Sequence, residues 1–342
     1  MTARLITLLS LLFLLPGPVA AAEEGEVHGA GDFQLPGWFK VSFLDLPADL
    51  AEARAADRGL ILFWEQEGCP YCEALIETNF HQRPIVDYTR EHFDVVALNL
   101  RGDRPVTALD GEQLTEKALA ERMEVQFTPT LLFLAGDGEV LLRLNGYYPP
   151  EEFRVALEYV GEGAHQEVAF SDYMAEHGPG ERTGPGELDD QPFFADPPHD
   201  LAGRDGPVAV FFEQGRCPEC RRLHDEILDE ERARELMAPF HAIQLDRWGE
   251  AEVVTPAGET RTARAWADEL GVAYTPTMVL FDEGGEVIRM ESHFRGFHVR
   301  SMLDYVASGA WEEEPQFQRY IDARSERLRE KGVDVDLWEG GE

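Results

Sequence analysis

The chain has 342 residues, enough for two domains with full cores, and a formal net charge of −36 at pH 7. Nucleic acid and anionic membranes repel such an acidic surface, which excludes a nucleic-acid-binding protein. Its four cysteines all lie in two Cys-x-x-Cys pairs. None is left for structural cross-links, so the pattern indicates redox chemistry rather than a disulfide scaffold.

The N-terminus reads as a secretory signal peptide at residues 1–22. Arg4 is followed by an apolar run, Leu5–Leu15, and by a small-residue cleavage site, Ala20–Ala22. The run is shorter than the roughly 20 residues that a membrane span needs, which favours a cleaved signal over a retained anchor. We therefore expect a periplasmic protein. The next stretch, as far as Gly37, is small and polar and predicts a mobile segment.

A first structural unit follows. A helix is predicted at 46–58, with Asp45 or Asp49 near its start. The run Leu60–Trp64 is too short for a helix and predicts a buried strand. The remaining predicted elements are strands at 95–100, 130–134 and 139–144, a small hairpin within 101–113, and helices at 115–122 and 150–160.

A cysteine motif, Cys69-Pro70-Tyr71-Cys72, comes between the first strand and a helical pattern. Proline suits the first helical position because its missing N–H would have had no partner there. Cys69 is thus predicted at a helix N-terminus, where free N–H groups and the helix dipole stabilise a thiolate. Cys72 lies one turn further, close enough to attack a mixed disulfide formed at Cys69.

The whole arrangement occurs twice. A second apolar run leads to Cys217-Pro218-Glu219-Cys220, and Thr275-Pro276-Thr277 repeats Thr128-Pro129-Thr130. Pro129 follows Cys69 by 60 residues and Pro276 follows Cys217 by 59. A repeat of this length predicts two like domains rather than one large one. The predicted divisions are a domain at 37–176, a linker rich in Gly, Pro and acids at 177–198, a domain at 199–310, and a helical extension at 311–342.

Each unit resembles a thioredoxin-fold domain, in which a strand, a Cys-x-x-Cys helix and a downstream Thr-Pro recur in this order. In the first unit, Phe63–Cys72, Asn99–Asp103 and Phe127–Thr130 resemble SoxW-type periplasmic thioredoxins; the second unit is similar but matches more loosely. The resemblance implies an α/β fold: two tandem thioredoxin-fold domains, each a central mixed sheet flanked by helices, with extra C-terminal helices.

The resemblance also implies an activity, thiol–disulfide exchange. The partners would be disulfides or thiols of exported proteins, associated in this family with sulfur-oxidation systems, and a CcdA/DsbD-type membrane protein would donate the electrons. No metal or organic cofactor is implied, because the dithiol is the reactive group. Cys69 and Cys217 would attack, and Cys72 and Cys220 would resolve. Pro129 and Pro276 would be cis, and the residues expected to bind substrate are Thr128, Pro129, Thr275, Pro276, Pro70, Tyr71 and Pro218.

Other functions are consistent with parts of this pattern. All four cysteines together could hold one zinc ion or serve only in folding, but the two Thr-Pro motifs would then be unexplained. An oxidase or isomerase of oxidative protein folding would use the same motifs at a higher reduction potential. A client-binding module with only one active site is a further alternative, and two intact motifs disfavour it.

The sequence departs from the best-known thioredoxins at a buried Asp six residues before the first cysteine. Phe63 and Phe211 stand there, and the nearest acids common to both units are Glu65 and Glu213. Our hypothesis is that these two carboxylates assist proton transfer, although solvated strand-end carboxylates are favoured. His224 follows Cys220 by four residues, so a Cys–His nucleophile pair is conceivable. A surface histidine is the favoured interpretation, because Ile76 occupies that place in the first unit.

Overall fold

A computed structural model describes residues 24–179, 187–291 and 295–338. The predicted signal peptide at 1–22 lies outside the described residues. Within these ranges no helix is both long and apolar enough to cross a bilayer. The chain forms two units of the same design, one after the other.

The first unit contains a short strand at its start, a two-stranded hairpin and a four-stranded sheet. Its strands are β1 (Val27–His28), β2 (Gly59–Glu65), β3 (Phe93–Asn99), β4 (Pro105–Thr107), β5 (Gln113–Thr115), β6 (Thr130–Leu134) and β7 (Val140–Asn145). Its helices are α1 (Leu46–Ala55), α2 (Pro70–Ala74), α3 (Arg83–His92), α4 (Glu116–Arg122), α5 (Pro150–Gly161) and α6 (Phe170–His177).

The second unit repeats this order and ends in additional helices. Its strands are β8 (His199–Asp200), β9 (Val208–Glu213), β10 (His241–Asp246), β11 (Glu252–Val254), β12 (Thr260–Thr262), β13 (Thr277–Asp282), β14 (Gly285–Glu291) and β15 (Val335–Asp336). Its helices are α7 (Pro218–Arg222), α8 (Glu231–Met237), α9 (Ala263–Glu269), α10 (Gly296–Ala307), α11 (Ala310–Glu313) and α12 (Phe317–Arg329).

Both central sheets have the same strand order, β3-β2-β6-β7 and β10-β9-β13-β14, in which the first pair is parallel and the others are antiparallel. Alternate residues of β2 face opposite sides. Phe63 enters the core beneath α2 and α5, and Leu62 enters the core beneath α1 and α4. Each such buried side chain contributes about 1.5–3 kcal/mol, so the strand is held from both faces. The predicted fold class is confirmed.

Helix caps explain where several predicted helices begin. The carboxylate of Asp45 accepts the N–H of Ala48 at 3.1 Å, and the Thr115 hydroxyl accepts the N–H of Ala118 at 3.3 Å. The helix predicted at 46–58 is shorter than expected and ends at Ala55, because Asp57 has a left-handed φ of 56°. After each cysteine motif the helix passes into a π-turn, at Leu75–Asn79 and Leu223–Leu228.

The two units contact each other through aromatic residues next to their Thr-Pro motifs. Phe127 belongs to the core cluster of the second unit, where its ring lies 5.5 Å from that of Phe317. Tyr274 belongs to the core cluster of the first unit, where its ring lies 4.6 Å from that of Tyr148. Each unit therefore inserts the residue that precedes its Thr-Pro motif into the other.

The segment that leads into the first unit is paired, so the prediction of a mobile stretch up to Gly37 is wrong there. Strand β1 pairs in parallel with β15 from the other end of the chain, and the N–H of Gly31 donates to the carbonyl of Gly68 at 3.1 Å. The partner strand is contributed by residues about 300 positions away. Local composition therefore gave no sign of the pairing.

Candidate active sites

The first site lies where α2 begins beside the loop that precedes β6. Cys69 is the N-cap of α2, and its Sγ atom accepts the N–H of Cys72 at 3.0 Å. The two cysteines are joined in a disulfide. The Thr128–Pro129 peptide bond is cis, and the carbonyl oxygen of Thr128 lies 3.4 Å from the Sγ atom of Cys69. The Cys69 sulfur is thus placed between a helix N-terminus and a polar main-chain edge.

The second site repeats this geometry. Cys217 is the N-cap of α7, is disulfide-bonded to Cys220, and accepts its N–H at 3.0 Å. The Thr275–Pro276 bond is cis, and the Thr275 carbonyl oxygen lies 3.6 Å from the Sγ atom of Cys217. The hydroxyl of Thr277 donates to the carbonyl of Tyr274 at 2.8 Å and braces the loop, as Thr130 does in the first unit.

All four cysteines are buried in this disulfide-bonded arrangement. Cys69 and Cys217 are 2% and 5% exposed, and the second cysteine of each pair is 0% and 1% exposed. Helix N–H groups that point at the sulfur of the first cysteine stabilise its thiolate, which is the attacking species in disulfide exchange. Within the described ranges, no three His, Cys, Asp or Glu side chains are grouped to share a metal ion.

A dithiol pair at a helix N-terminus, next to a Thr–cis-Pro loop, on a mixed sheet flanked by helices, defines a thiol–disulfide oxidoreductase. The sequence profile of the thioredoxin-like domain family matches residues 46–161 and 199–307, which together are more than half of the chain. The chain therefore belongs to the thioredoxin-like domain family, with two copies of the domain.

Several solved structures are similar to parts of the chain. A thioredoxin-fold protein from Helicobacter pylori is 26% identical over 35% of this chain and 79% of its own, with a TM-score of 0.30. A thioredoxin from Thermus thermophilus is 24% identical over 40% and 87%, with a TM-score of 0.28. The C-terminal domain of Neisseria meningitidis DsbD in the reduced form is 16% identical over 33% and 91%, with a TM-score of 0.27. No curated protein matches the chain.

The first site is a cleft between the two units. A cavity of about 270 Å³ adjoins Cys69, and its opposite wall is formed by α12 and both terminal segments. From the first unit it is lined by Glu67, Cys69 and Thr128, and from the rest of the chain by Val27, Gln318 and Ile321. Helix α12 holds this position by polar contacts: Gln66 donates to Gln318 at 2.7 Å, and Arg101 pairs with Asp322.

Tyr71, inside the first cysteine motif, contacts the second unit through both its hydroxyl and its ring. Its hydroxyl accepts the N–H of Arg295 at 2.9 Å and lies 3.2 Å from Nδ1 of His298. The Trp338 ring packs 5.5 Å away. Burial raises the pKa of Tyr71 and lowers the pKa of His298 to about 4, so both side chains are neutral at pH 7. Tyr71 is 3% exposed, and its ring therefore faces the second unit rather than solvent.

The second site is less covered and differs in its acids. Pro218 is exposed, whereas its counterpart Pro70 is buried. Glu65 is half-buried, and burial together with the nearby charge of Glu116 raises its pKa to about 7. Glu213 is fully buried, so the favoured interpretation of it as a solvated strand-end carboxylate is wrong.

The interpretation of His224 as a surface residue is also wrong. It is 2% exposed rather than on the surface, and its Nε2 atom contacts the carboxylate of Glu213. Sequence reasoning also missed α12 as a wall of the first site. The recurrence of Phe170 and Tyr173 as Phe317 and Tyr320 predicts that each unit ends in such a helix, but not that α12 reaches the first site.

Proposed function

We propose that this protein is an exported, periplasmic thiol–disulfide oxidoreductase that reduces disulfides in client proteins through both cysteine sites. The observation that carries the proposal is the duplicated pairing of a helix-capping cysteine with a Thr–cis-Pro loop. The signal-like residues 1–22 support export. The resemblance of the first unit to SoxW-type proteins supports reduction as the direction and a sulfur-oxidation system as the setting.

The reaction at each site has two exchanges. The thiolate of Cys69 attacks one sulfur of a client disulfide, forms a mixed disulfide, and releases the other client sulfur as a thiolate that takes up a proton. The thiol of Cys72 then loses its proton and attacks the Sγ atom of Cys69, which releases the second client thiol. The client gains two electrons and two protons, and the site is left as a disulfide. Cys217 and Cys220 act in the same way at the second site.

Clients are expected to pair with the main chain of Thr128 or Thr275, with Pro129, Pro276, Pro70, Tyr71 and Pro218 as the surrounding surface. At the first site this surface is covered, since Cys69 is 2% exposed. A folded client therefore reaches Cys69 only after the second unit moves away. The electrons that restore the dithiols would come from a CcdA/DsbD-type membrane protein, and no organic cofactor or metal is required.

Glu65 and Glu213 are proposed to assist proton transfer at the two resolving steps. The raised pKa of Glu65, about 7, suits a group that exchanges protons near neutral pH. A Glu65→Gln variant should slow the resolving step at the first site. An unchanged rate would remove Glu65 from the mechanism.

The decisive experiment is capture of the client. In a Cys72→Ser, Cys220→Ser chain the mixed disulfide cannot be resolved, so a covalent complex with a natural periplasmic client should accumulate. The matched control is a Cys69→Ser, Cys217→Ser chain, which retains the buried thiols but lacks both attacking sulfurs. Equal capture by both chains, or no disulfide-linked partner from a periplasmic extract, would contradict the proposal.

Redox titration then distinguishes reductase from oxidase or isomerase. A reduction potential near about −270 mV is typical of a reductant, and one near about −120 mV is typical of an oxidant. Insulin reduction by chains with only one intact cysteine pair tests whether both sites act. If one site is inactive while its unit still binds clients, that unit is a binding module.

A further inference from the structure

The second site contains a buried pair of ionisable side chains that the exchange reaction alone does not explain. Glu213 is 0% exposed and His224 is 2% exposed. The Nε2 atom of His224 lies 2.9 Å and 3.0 Å from the two carboxylate oxygens of Glu213. Gln244 donates a further hydrogen bond to the same carboxylate at 2.9 Å. Removing two ionisable groups from water costs free energy, and the hydrogen bonds among Glu213, His224 and Gln244 offset this cost.

The position of the pair connects it to the cysteines. Glu213 ends β9 four residues before Cys217, and His224 follows Cys220 by four residues along the helix. His224 lies in the π-turn Leu223–Leu228, which directly follows the helix α7 that carries Cys220.

One nitrogen of His224 is unused. The carboxylate can only accept, so Nε2–H donates to Glu213, and Nδ1 is buried without a hydrogen-bond partner in the described part of the chain. Phe194 packs on the ring with centroids 5.9 Å apart. From the elements around the ring, Glu213 is the charged side chain that pairs with it, and Gln244 approaches only the carboxylate. An imidazole oriented in this way presents Nδ1 as a site for a proton.

The first unit lacks this arrangement. Ile76 occupies the place of His224 and is 2% exposed within the apolar core. Glu65, at the place of Glu213, has no hydrogen-bond or ion-pair partner among the described side chains. The two sites share their cysteine and proline geometry and differ in the groups that can hold a proton. The first site can therefore serve as an internal control for the second.

We propose that His224, oriented by Glu213, holds the proton of Cys220 during the resolving step at the second site. As the Cys220 sulfur bonds to Cys217 and the mixed disulfide breaks, the Cys220 thiol proton passes to Nδ1 and the departing sulfur leaves as a thiolate. The carboxylate of Glu213 stabilises the resulting imidazolium. When the site is reduced again, the proton returns to Cys220. This inference rests on exchange at the second site and not on the direction or the client of the proposed function.

The test uses the full chain with Cys69→Ser and Cys72→Ser, so that only the second site reacts with 5,5′-dithiobis(2-nitrobenzoate). Attack by Cys217 releases one coloured thiolate, and resolution by Cys220 releases a second in a separate phase. His224→Gln keeps a donor toward Glu213 but cannot take up a proton near neutrality. His224→Ile reproduces the first unit. Both variants should slow the second phase at pH 7 by at least about tenfold.

The pH profile separates proton transfer from a structural role. With His224 present, the rate of the second phase should remain high well below the pH at which a free thiol ionises, because the imidazole takes up the Cys220 proton. In both His224 variants it should instead rise with pH toward the ordinary thiol pKa of about 8.5, because only the thiolate fraction of Cys220 remains. Glu213→Gln should also slow the second phase, since the imidazolium loses the carboxylate that stabilises it. An unchanged profile in the His224 variants would overturn the proposal.

Two controls keep the test decisive. In the reciprocal Cys217→Ser, Cys220→Ser background, His224→Gln should leave the second phase of the first site unchanged, and an equal slowing there would mean a general loss of structure. If the variants do not fold, NMR titration of His224 in the unmodified chain replaces them. Its midpoint should move when the second site is reduced, and an identical midpoint in both redox states would refute the proposal.

Discussion

Replacing Tyr71 with Phe should open the first site without changing its sulfur chemistry. The substitution removes only the hydroxyl that joins the first cysteine motif to the second unit. That hydroxyl accepts the N–H of Arg295 at 2.9 Å and lies 3.2 Å from Nδ1 of His298. The aromatic ring remains to pack against Trp338, so the apolar part of the contact is kept.

The size of the effect depends on the polar groups that lose a hydrogen-bond partner when the Tyr71 hydroxyl is removed. Both partners of the Tyr71 hydroxyl are in the covered interface, and His298 is 8% exposed. A buried polar group left without a partner costs about 1–3 kcal/mol. We take the substitution to destabilise the closed arrangement of the two units by about 2 kcal/mol. This free energy corresponds to a roughly 30-fold larger population of the open arrangement.

Labelling of Cys69 measures this population. In a reduced chain in which Cys72, Cys217 and Cys220 are all replaced by Ser, a bulky maleimide reacts only at Cys69 and only when the cleft is open. Tyr71→Phe should accelerate labelling roughly in proportion to the open population.

Two substitutions within the first unit serve as controls. Among the residues that the structure describes, the Tyr88 hydroxyl has no hydrogen-bond partner, and the Tyr159 hydroxyl donates to Val168 at 2.9 Å inside the unit. Tyr88→Phe and Tyr159→Phe should leave the labelling rate of Cys69 near that of the parent. A Tyr71→Phe rate equal to the parent would refute the view that the second unit closes this site through the Tyr71 hydroxyl.

Three further outcomes are expected. Burial lowers the pKa of His298 from 6.5 to about 4, so between these pH values His298 binds a proton when the two units are separated but not when they are closed. Closure of the units is therefore strongest above pH 6.5 and loses about 3 kcal/mol by pH 4. The radius of gyration should rise on acidification in the parent chain but not in His298→Asn. The raised pKa of Glu65 makes its ionised form unfavourable in the folded chain, so Glu65→Gln should increase the urea midpoint more at pH 8 than at pH 5, and equal increases would contradict this. A Cβ at Gly31 would lie 2.4 Å from the carbonyl oxygen of Cys69, whereas a Cβ at Gly37 would meet nothing within 4 Å. Gly31→Ala should therefore speed the labelling of Cys69 by a bulky maleimide, and Gly37→Ala should not. Equal rates would show that the N-terminal segment does not cover the site.

Features set by nearby residues could be predicted from the sequence. The hydroxyl of Thr115 caps the helix that follows it, and Cys69 caps α2 as the position of Pro70 indicated. The burial of His224 could not be predicted in this way. Whether the fourth residue after Cys220 faces the core depends on the π-turn at 223–228, which changes the face that each side chain presents.

Contacts between distant parts of the chain were equally hidden. The wall that α12 contributes to the first site depends on where the second unit sits against the first. In sequence, Gln318 and Asp322 are ordinary polar residues on a helix whose apolar face includes Phe317 and Ile321. Only the fold shows that this polar face contacts Gln66 and Arg101 of the first unit. A repeat predicts two like domains, but not which surfaces they bury together.

The cover over the first site and the anchoring of the Thr-Pro loops have a joint consequence for the reaction. Phe127 and Tyr274 each precede the threonine that is expected to pair with a client, and each is buried in the opposite unit, at 5% exposure. A client that pairs with Thr128 competes with the packing of Phe127, and one that pairs with Thr275 competes with that of Tyr274. We expect separation of the units to release both anchors at once, which would link access to the two sites; by thermodynamic reciprocity, occupation of either site would then favour exposure of the other.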